Sequence, residues 1–182
     1  MLLGSEACDF GAPAPAFELS TPDGAQHSLD SLMGEKGLLI AFICNHCPYV
    51  IALIDRLAAD LDVLAAAGVG GVAIMPNDYR AYPADAPDRM TAFAQAHGLN
   101  VPYLVDADQH VARAYGAVCT PDFFGFDGQG GLQYRGRLDD TGMHGDPSQR
   151  RPELVEAMLQ VADTGNGPQQ QTASMGCSIK WR

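Results

Sequence analysis

The sequence predicts an α/β fold in which a central mixed β-sheet is flanked by α-helices. Three observations carry this. Apolar runs of strand length alternate with longer segments of helical length. The first such run, Leu38 to Ile43, leads into Cys44-Asn45-His46-Cys47 and then a long helix-forming segment. Two late runs, Phe123–Phe126 and Leu132–Leu138, flank the turn Asp127-Gly128-Gln129-Gly130, which predicts an antiparallel hairpin.

The elements follow in order. Residues 1–36 are rich in Gly, Pro and short polar residues. Within them, alternating apolar positions from Ala14 to Leu19 predict a short edge strand, Thr21-Pro22-Asp23-Gly24 a turn, and Ser28–Leu32 one helical turn. Strand 38–44 precedes a helix from Tyr49 to Ala67. Its apolar residues lie nearly all round, so it is expected to be deeply buried. Asp55, Arg56, Asp60 and Asp62 supply its wet side, and Gly68 ends it. Val69–Met75 is a second buried strand. The proline-rich stretch 76–88 is a long loop, of the kind that often carries function. A helix at 88–97, a strand at 101–105, a helix at 109–115, the hairpin, and a last helix from Pro152 to Val161 complete a domain over residues 1–164. The tail 165–182 turns polar but ends in Met175-Gly176-Cys177-Ser178-Ile179-Lys180-Trp181. A disordered tail would not be expected to hold Cys, Ile and the chain's one Trp, so it is expected to pack back on the domain.

Composition narrows the function. The 182 residues suffice for one domain with a sizeable core, and the net charge is -11. Nucleic acid is bound through clustered Lys and Arg, and anionic membrane surfaces likewise, so neither is an expected partner. No run approaches the roughly 18 apolar residues of a membrane span, and MLLGSEACDF shows no secretory signal. Five cysteines cannot all pair within the chain. That count fits a reducing cytoplasm and a transient, catalytic disulfide better than a disulfide scaffold.

Cys44 and Cys47 sit where a strand hands over to a helix N-terminus. Unpaired N–H groups and the helix dipole favour an anion there, and the thiolate is the reactive form of cysteine. Cys44 is expected to lie nearer solvent and attack, with Cys47 resolving the mixed disulfide. A protonated His46 would stabilise the thiolate. Pro48 suits the first helical turn. A cis Thr120-Pro121 bond would set the Thr120 backbone beside the dithiol. Cys119 adjoins that dipeptide as a candidate third thiol, and Cys177 is a fourth. Arg135 and Arg137, two apart on the expected strand, could hold a thiolate or a peroxide oxygen.

Together these segments resemble the thioredoxin superfamily, specifically the peroxiredoxin-like proteins of the alkyl hydroperoxide reductase/thiol-specific antioxidant type. The likeness spans residues 10–163 through Gly11–Leu19, strand 38–43, Cys44–Pro48, Val118–Phe123 and Gly136-Arg137-Leu138. It implies a thioredoxin-like fold, thiol redox chemistry in cell redox homeostasis, a cellular reductant as partner, and neither organic cofactor nor resident metal. Two departures stand out. Peroxiredoxins carry T-x-x-C, and here Cys44 replaces the threonine that orients the peroxide. Thioredoxins place proline before the second cysteine and a buried acid in the preceding strand. Here the proline follows, and strand 38–43 has no acid. The Gly-Cys-Ser-Ile-Lys-Trp ending resembles that of a peroxiredoxin-like subgroup, which gives it no role.

The first expectation is therefore a thiol–disulfide oxidoreductase acting on protein or small-molecule disulfides, with thiol peroxidase activity on hydroperoxides as the alternative. A metal reading would join Cys44, Cys47 and His144 around Cu(I), by likeness to thioredoxin-fold copper-delivery proteins, although those carry C-x-x-x-C and work at membranes. A zinc site would need Cys119 or Cys177 to converge on the pair.

Overall fold

The computed structural model describes residues 1–182. In chain order the elements are β1 (Leu2–Gly4), β2 (Glu18–Ser20), β3 (Gln26–Ser28), α1 (Leu29–Leu32), β4 (Gly37–Phe42), α2 (Pro48–Ala66), β5 (Val69–Met75), α3 (Pro87–Ala96), β6 (Tyr103–Val105), α4 (His110–Tyr115), β7 (Cys119–Thr120), β8 (Asp122–Asp127), β9 (Leu132–Tyr134), α5 (Glu153–Thr164) and β10 (Met175–Ser178). The central sheet runs β3-β2-β6-β5 and continues as β4-β8-β9. The two parts join where Ile43 N–H donates to the Ile74 carbonyl at 3.0 Å. β5 and β6 are parallel, with Ala73 opposite Tyr103, while β4, β8 and β9 pair antiparallel. The sheet is mixed, and no helix is long and apolar enough to cross a membrane.

β4 shows why the layers form. All six of its residues are buried. Side chains alternate across a strand, so Leu39 and Ala41 pack with α2 and α5, while Leu38, Ile40 and Phe42 pack with Tyr115 and Phe124 on the other face. Each large side chain so buried contributes about 1.5–3 kcal/mol. A strand apolar on both faces needs cover on both, and the helices supply it.

α2 starts from Cys47 as its N-cap, with Pro48 in the first turn, and gives way to Gly68 in a left-handed conformation (φ +84°). Its surface differs from expectation in two ways. Ile51 and Val63 are about half exposed, at 50% and 49%. Asp60, expected in solvent, is buried and takes a hydrogen bond from Arg150 at 2.9 Å, while Arg56 donates to Asp139 at 2.8 Å. The segment after β9 crosses this flank, and these ion pairs hold it there.

Three further corrections concern strands, the first set by proline and the other two by backbone hydrogen bonds to segments distant in sequence. The strand expected over Ala14–Leu19 is only Glu18–Ser20, because Pro13 and Pro15 bring no N–H to a ladder. The strand expected to reach Leu138 stops at Tyr134. Beyond it, Arg135 N–H donates to the Gln171 side chain at 2.7 Å and Arg137 N–H to the Thr172 carbonyl at 2.8 Å. β10, not expected as a strand, lies between β1 and β7 in a small antiparallel sheet, with Cys177 opposite Leu2 on one side and Thr120 on the other. Gly176 permits this approach: a Cβ there would fall 2.1 Å from the Thr120 carbonyl oxygen.

Candidate active site

Cys44 and Cys47 fall between β4 and α2, both as free thiols. The expectation that Cys44 lies nearer solvent does not hold, since each residue is 1% exposed. β7 and β10 close over the junction. The Thr120-Pro121 peptide is cis, and Thr120 touches both sulfurs. Its carbonyl lies 3.1 Å from Cys47 Sγ and its hydroxyl 3.4 Å from Cys44 Sγ. A cavity of about 230 Å³ opens beside Pro121, walled by Tyr49, Leu53, Phe123, Leu138 and Met175.

The two sulfurs differ in charge preference. The neighbouring Cys44 thiol is the largest influence holding the Cys47 thiol below its usual range, and the backbone N–H groups of Val50 and Cys177 add to it against the opposing cost of burial. Cys47 closes no formal cap hydrogen bond. Its sulfur nonetheless sits at the positive end of the α2 dipole. The Thr120 carbonyl opposes this, since it accepts only from a protonated Cys47. The balance of these influences favours the charge on Cys47 over Cys44. Cys44 is pushed the other way by its contact with Cys47, by burial and by the Asp85 carboxylate.

Asp85 is the group that the sequence did not announce. It lies in a 3-10 turn, Pro83–Asp85, inside the expected long loop, and is fully buried. Its Oδ1 accepts from the Asn45 N–H at 2.8 Å and its Oδ2 from Asn77 Nδ2 at 2.8 Å. His46 Nδ1 lies 2.7 Å from the same Oδ2. One atom each of Cys44, His46 and Asp85 fall within 4.8 Å of one another. Strand 38–43 holds no acid, and this loop carries one to the first thiol instead. A run of mixed residues with three prolines gave no local signal beyond its length.

The remaining predicted residues divide. His46 faces Asp85 and stacks on Tyr82, with ring centroids 5.9 Å apart. Cys119 is buried and its thiol donates to the Pro121 carbonyl at 3.4 Å; burial pushes it far above the usual thiol range. Arg135 is neither solvated nor beside the dithiol. It is buried against Asp122 at 3.5 Å, with its guanidinium over the Phe124 ring. Arg137 forms a bidentate pair with Glu153, both contacts 2.8 Å. Both guanidiniums are committed elsewhere because β9 ends before them. Cys177, on β10, packs against the cluster that contains both thiols.

The proposed copper set does not assemble. His144 is exposed in the turn after β9 and stands apart from both thiols. In the group that does converge, both Asp85 oxygens already accept hydrogen bonds, from Asn45 and Asn77, and His46 Nδ1 lies against one of them, which describes a polar relay better than an open ligand set. Asp106, Asp108 and His110 also cluster, but Asp106 accepts from the first-turn N–H groups of α4 and is a helix cap.

Comparison with known proteins agrees with this geometry. An uncharacterized conserved protein from Geobacillus kaustophilus superposes with a TM-score of 0.93 at 38% identity, covering 100% of this chain and 97% of that one. The thioredoxin domain of a thiol-disulfide oxidoreductase from Bacteroides vulgatus gives a TM-score of 0.59 at 16% identity, over 72% of this chain and 89% of that one, which is a likeness of fold. A Mycobacterium tuberculosis protein provisionally named a peroxiredoxin is 28% identical over 156 residues, 86% of this chain and 88% of that protein. The AhpC/TSA family model matches residues 10–135, more than half of the chain. This protein therefore belongs to the AhpC/TSA family and is a thiol-dependent oxidoreductase on a thioredoxin-like fold.

Proposed function

We propose that the protein catalyses thiol–disulfide exchange through Cys44 and Cys47, with the roles opposite to those the motif suggested. Cys47 is the nucleophile. Its thiolate attacks a substrate disulfide R–S–S–R′, forms Cys47–S–S–R and releases R′S⁻. Cys44 gives its proton to the Asp85 relay and attacks the Cys47 sulfur. RS⁻ leaves, and the enzyme holds a Cys44–Cys47 disulfide that a cellular thiol reductant returns to the dithiol. Every bond made is a sulfur–sulfur bond, and the two electrons pass from the pair to the substrate.

The single observation that supports this most is the placement of the pair: Cys47 is the N-cap of α2, at the positive end of its dipole, while the Asp85 carboxylate lies beside Cys44. A resolving thiol that must lose its proton during the reaction needs an acceptor, and Asp85 is within 4.8 Å. The test is insulin-disulfide reduction with serine variants of the pair, made in a chain whose other three cysteines, Cys8, Cys119 and Cys177, are serine so that no other thiol resolves the mixed disulfide. Cys47→Ser should abolish turnover, and Cys44→Ser should accumulate mixed disulfide on Cys47. Mixed disulfide accumulating instead on Cys44 in the Cys47→Ser variant would reverse the assignment.

A second reading is favoured by the family match and by Cys47 occupying the peroxiredoxin cysteine position. A hydroperoxide would then oxidise Cys47 to a sulfenic acid, and Cys44 would condense with it and release water. Cys44 in place of the threonine removes a hydroxyl from the peroxide seat, although the Thr120 hydroxyl lies 3.4 Å from that sulfur. Stopped-flow mixing with hydrogen peroxide separates the readings: rapid stoichiometric loss of both thiols supports peroxidase chemistry, and slow loss beside rapid insulin reduction supports exchange.

A further inference from the structure

Both thiols of the pair are 1% exposed, so access to their sulfurs is narrow beneath β7 and β10. One other thiol borders them. Cys177 stands opposite Thr120 across β7 and β10, and the Thr120 carbonyl lies 3.1 Å from Cys47 Sγ. Antiparallel neighbours in register have Cα atoms about 4.5–5.5 Å apart. Cys177 packs against the hydrophobic cluster that contains Cys44 and Cys47. Unlike the pair, Cys177 is partly exposed, next to the exposed Met175. Gly176 lets β10 lie this close, because any side chain there would strike the Thr120 carbonyl.

We infer that Cys177 is a third redox thiol, through which the buried Cys44–Cys47 disulfide exchanges with an external thiol reductant. The inference rests on the dithiol reading and adds the path by which electrons reach it. In the oxidised enzyme the Cys177 thiolate attacks Cys47 Sγ. The Cys44–Cys47 bond breaks, Cys44 leaves and is reprotonated through the Asp85 relay, and a Cys47–Cys177 disulfide forms. An external thiolate then attacks Cys177, and Cys47 leaves as its stabilised thiolate. A second external thiol attacks the mixed disulfide and frees Cys177. Two external thiols become one disulfide, and the pair gains their two electrons. Burial and the Cys47 sulfur raise the Cys177 thiol above its usual range, while Lys180 lowers it. Once Cys47 is tied in a disulfide its opposing charge is gone, and Lys180 favours the attacking thiolate.

The test uses the full-length chain. Reduced Cys44→Ser is treated with one equivalent of diamide, alkylated and digested without reductant. A disulfide joining tryptic segments 37–56 and 151–180 is expected in most of the protein. If Cys177 is instead recovered alkylated while Cys47 is glutathionylated on later addition of glutathione disulfide, the inference falls. In otherwise wild-type protein, Cys177→Ser should slow reduction of the Cys44–Cys47 disulfide by dithiothreitol at least tenfold, with an unchanged melting curve. Cys119→Ser, which alters the same seam away from the path, controls for packing. A full rate in Cys177→Ser overturns the relay, and acceleration on deleting residues 173–182 would show that β10 is only a cover. Failure of the wild-type pair to oxidise under any of these treatments would sink the dithiol reading itself, which separates the two.

Discussion

Replacing Asp85 by Asn, in a Cys47→Ser background so that Cys44 is the lone thiol of the pair, isolates the influence of the buried carboxylate. The substitution keeps the shape and the hydrogen bond from the Asn45 N–H, while the charge is lost. At a separation of no more than 4.8 Å, two unit charges in an effective dielectric of about 20 interact by roughly 3.5 kcal/mol. At 1.36 kcal/mol per pK unit this is roughly 2.5 units, so the Cys44 thiol should titrate lower by about that amount. Thiolate absorbance near ~240 nm against pH, or the pH dependence of iodoacetamide alkylation, reads the midpoint, since only the thiolate reacts. In the intact pair the same substitution removes the proton acceptor. Resolution of a mixed disulfide on Cys47 should then slow by about 10²–10⁴, the usual worth of general base catalysis. A Cys44 midpoint that stays in place would mean that His46, 2.7 Å from the carboxylate, already cancels its charge, and the proton-acceptor argument would fail with it.

Other consequences can be measured directly. Cys47 in the reduced protein should be alkylated with a midpoint below the ordinary thiol range, and Cys44→Ala should raise that midpoint by removing the largest influence that lowers it. Burial raises Asp122 to about 6 from the ordinary 3.8, against the opposing pull of Arg135. The folded state then keeps a proton that the unfolded state has lost, so stability should fall as pH rises from about 4 to about 6, by roughly 3 kcal/mol in all. Urea denaturation across that range checks it, and Asp122→Asn should flatten the slope. Gly176→Ala sets a methyl group 2.1 Å from a backbone oxygen, which should cost roughly 1–3 kcal/mol and speed alkylation of Cys47 by loosening β10. A thermal melt and timed alkylation of the variant read both effects together.

What the sequence made legible was local. The run 38–43, the two cysteines and Pro48 announce a strand, a helix N-terminus and a dithiol within about a dozen residues, and the family likeness follows from them. Charge preference within the pair was not legible, because it depends on which sulfur meets the α2 dipole and which meets Asp85. Asp85 reaches Cys44 across a long loop, through contacts with Asn45 and Asn77 that no periodicity encodes. Arg135 and Arg137 looked like a pair on one strand face. Tyr134 ends that strand, its hydroxyl donating to the Arg137 carbonyl at 2.6 Å, and each arginine turns to its own carboxylate. β10 escaped because Met175-Gly176-Cys177-Ser178 has too little alternation to mark a strand; it exists only because β1 and β7 leave a gap that a glycine can enter.

β10 pairs with β1 from the opposite end of the chain, Cys177 facing Leu2, and with β7 at Thr120 on its other side. Contacts so remote in sequence tend to arrive late in folding. Docking of β10 after the rest would build the reactive sulfurs before their roof. Recovery of active protein on refolding should then depend on keeping the medium reducing until the last strand has docked.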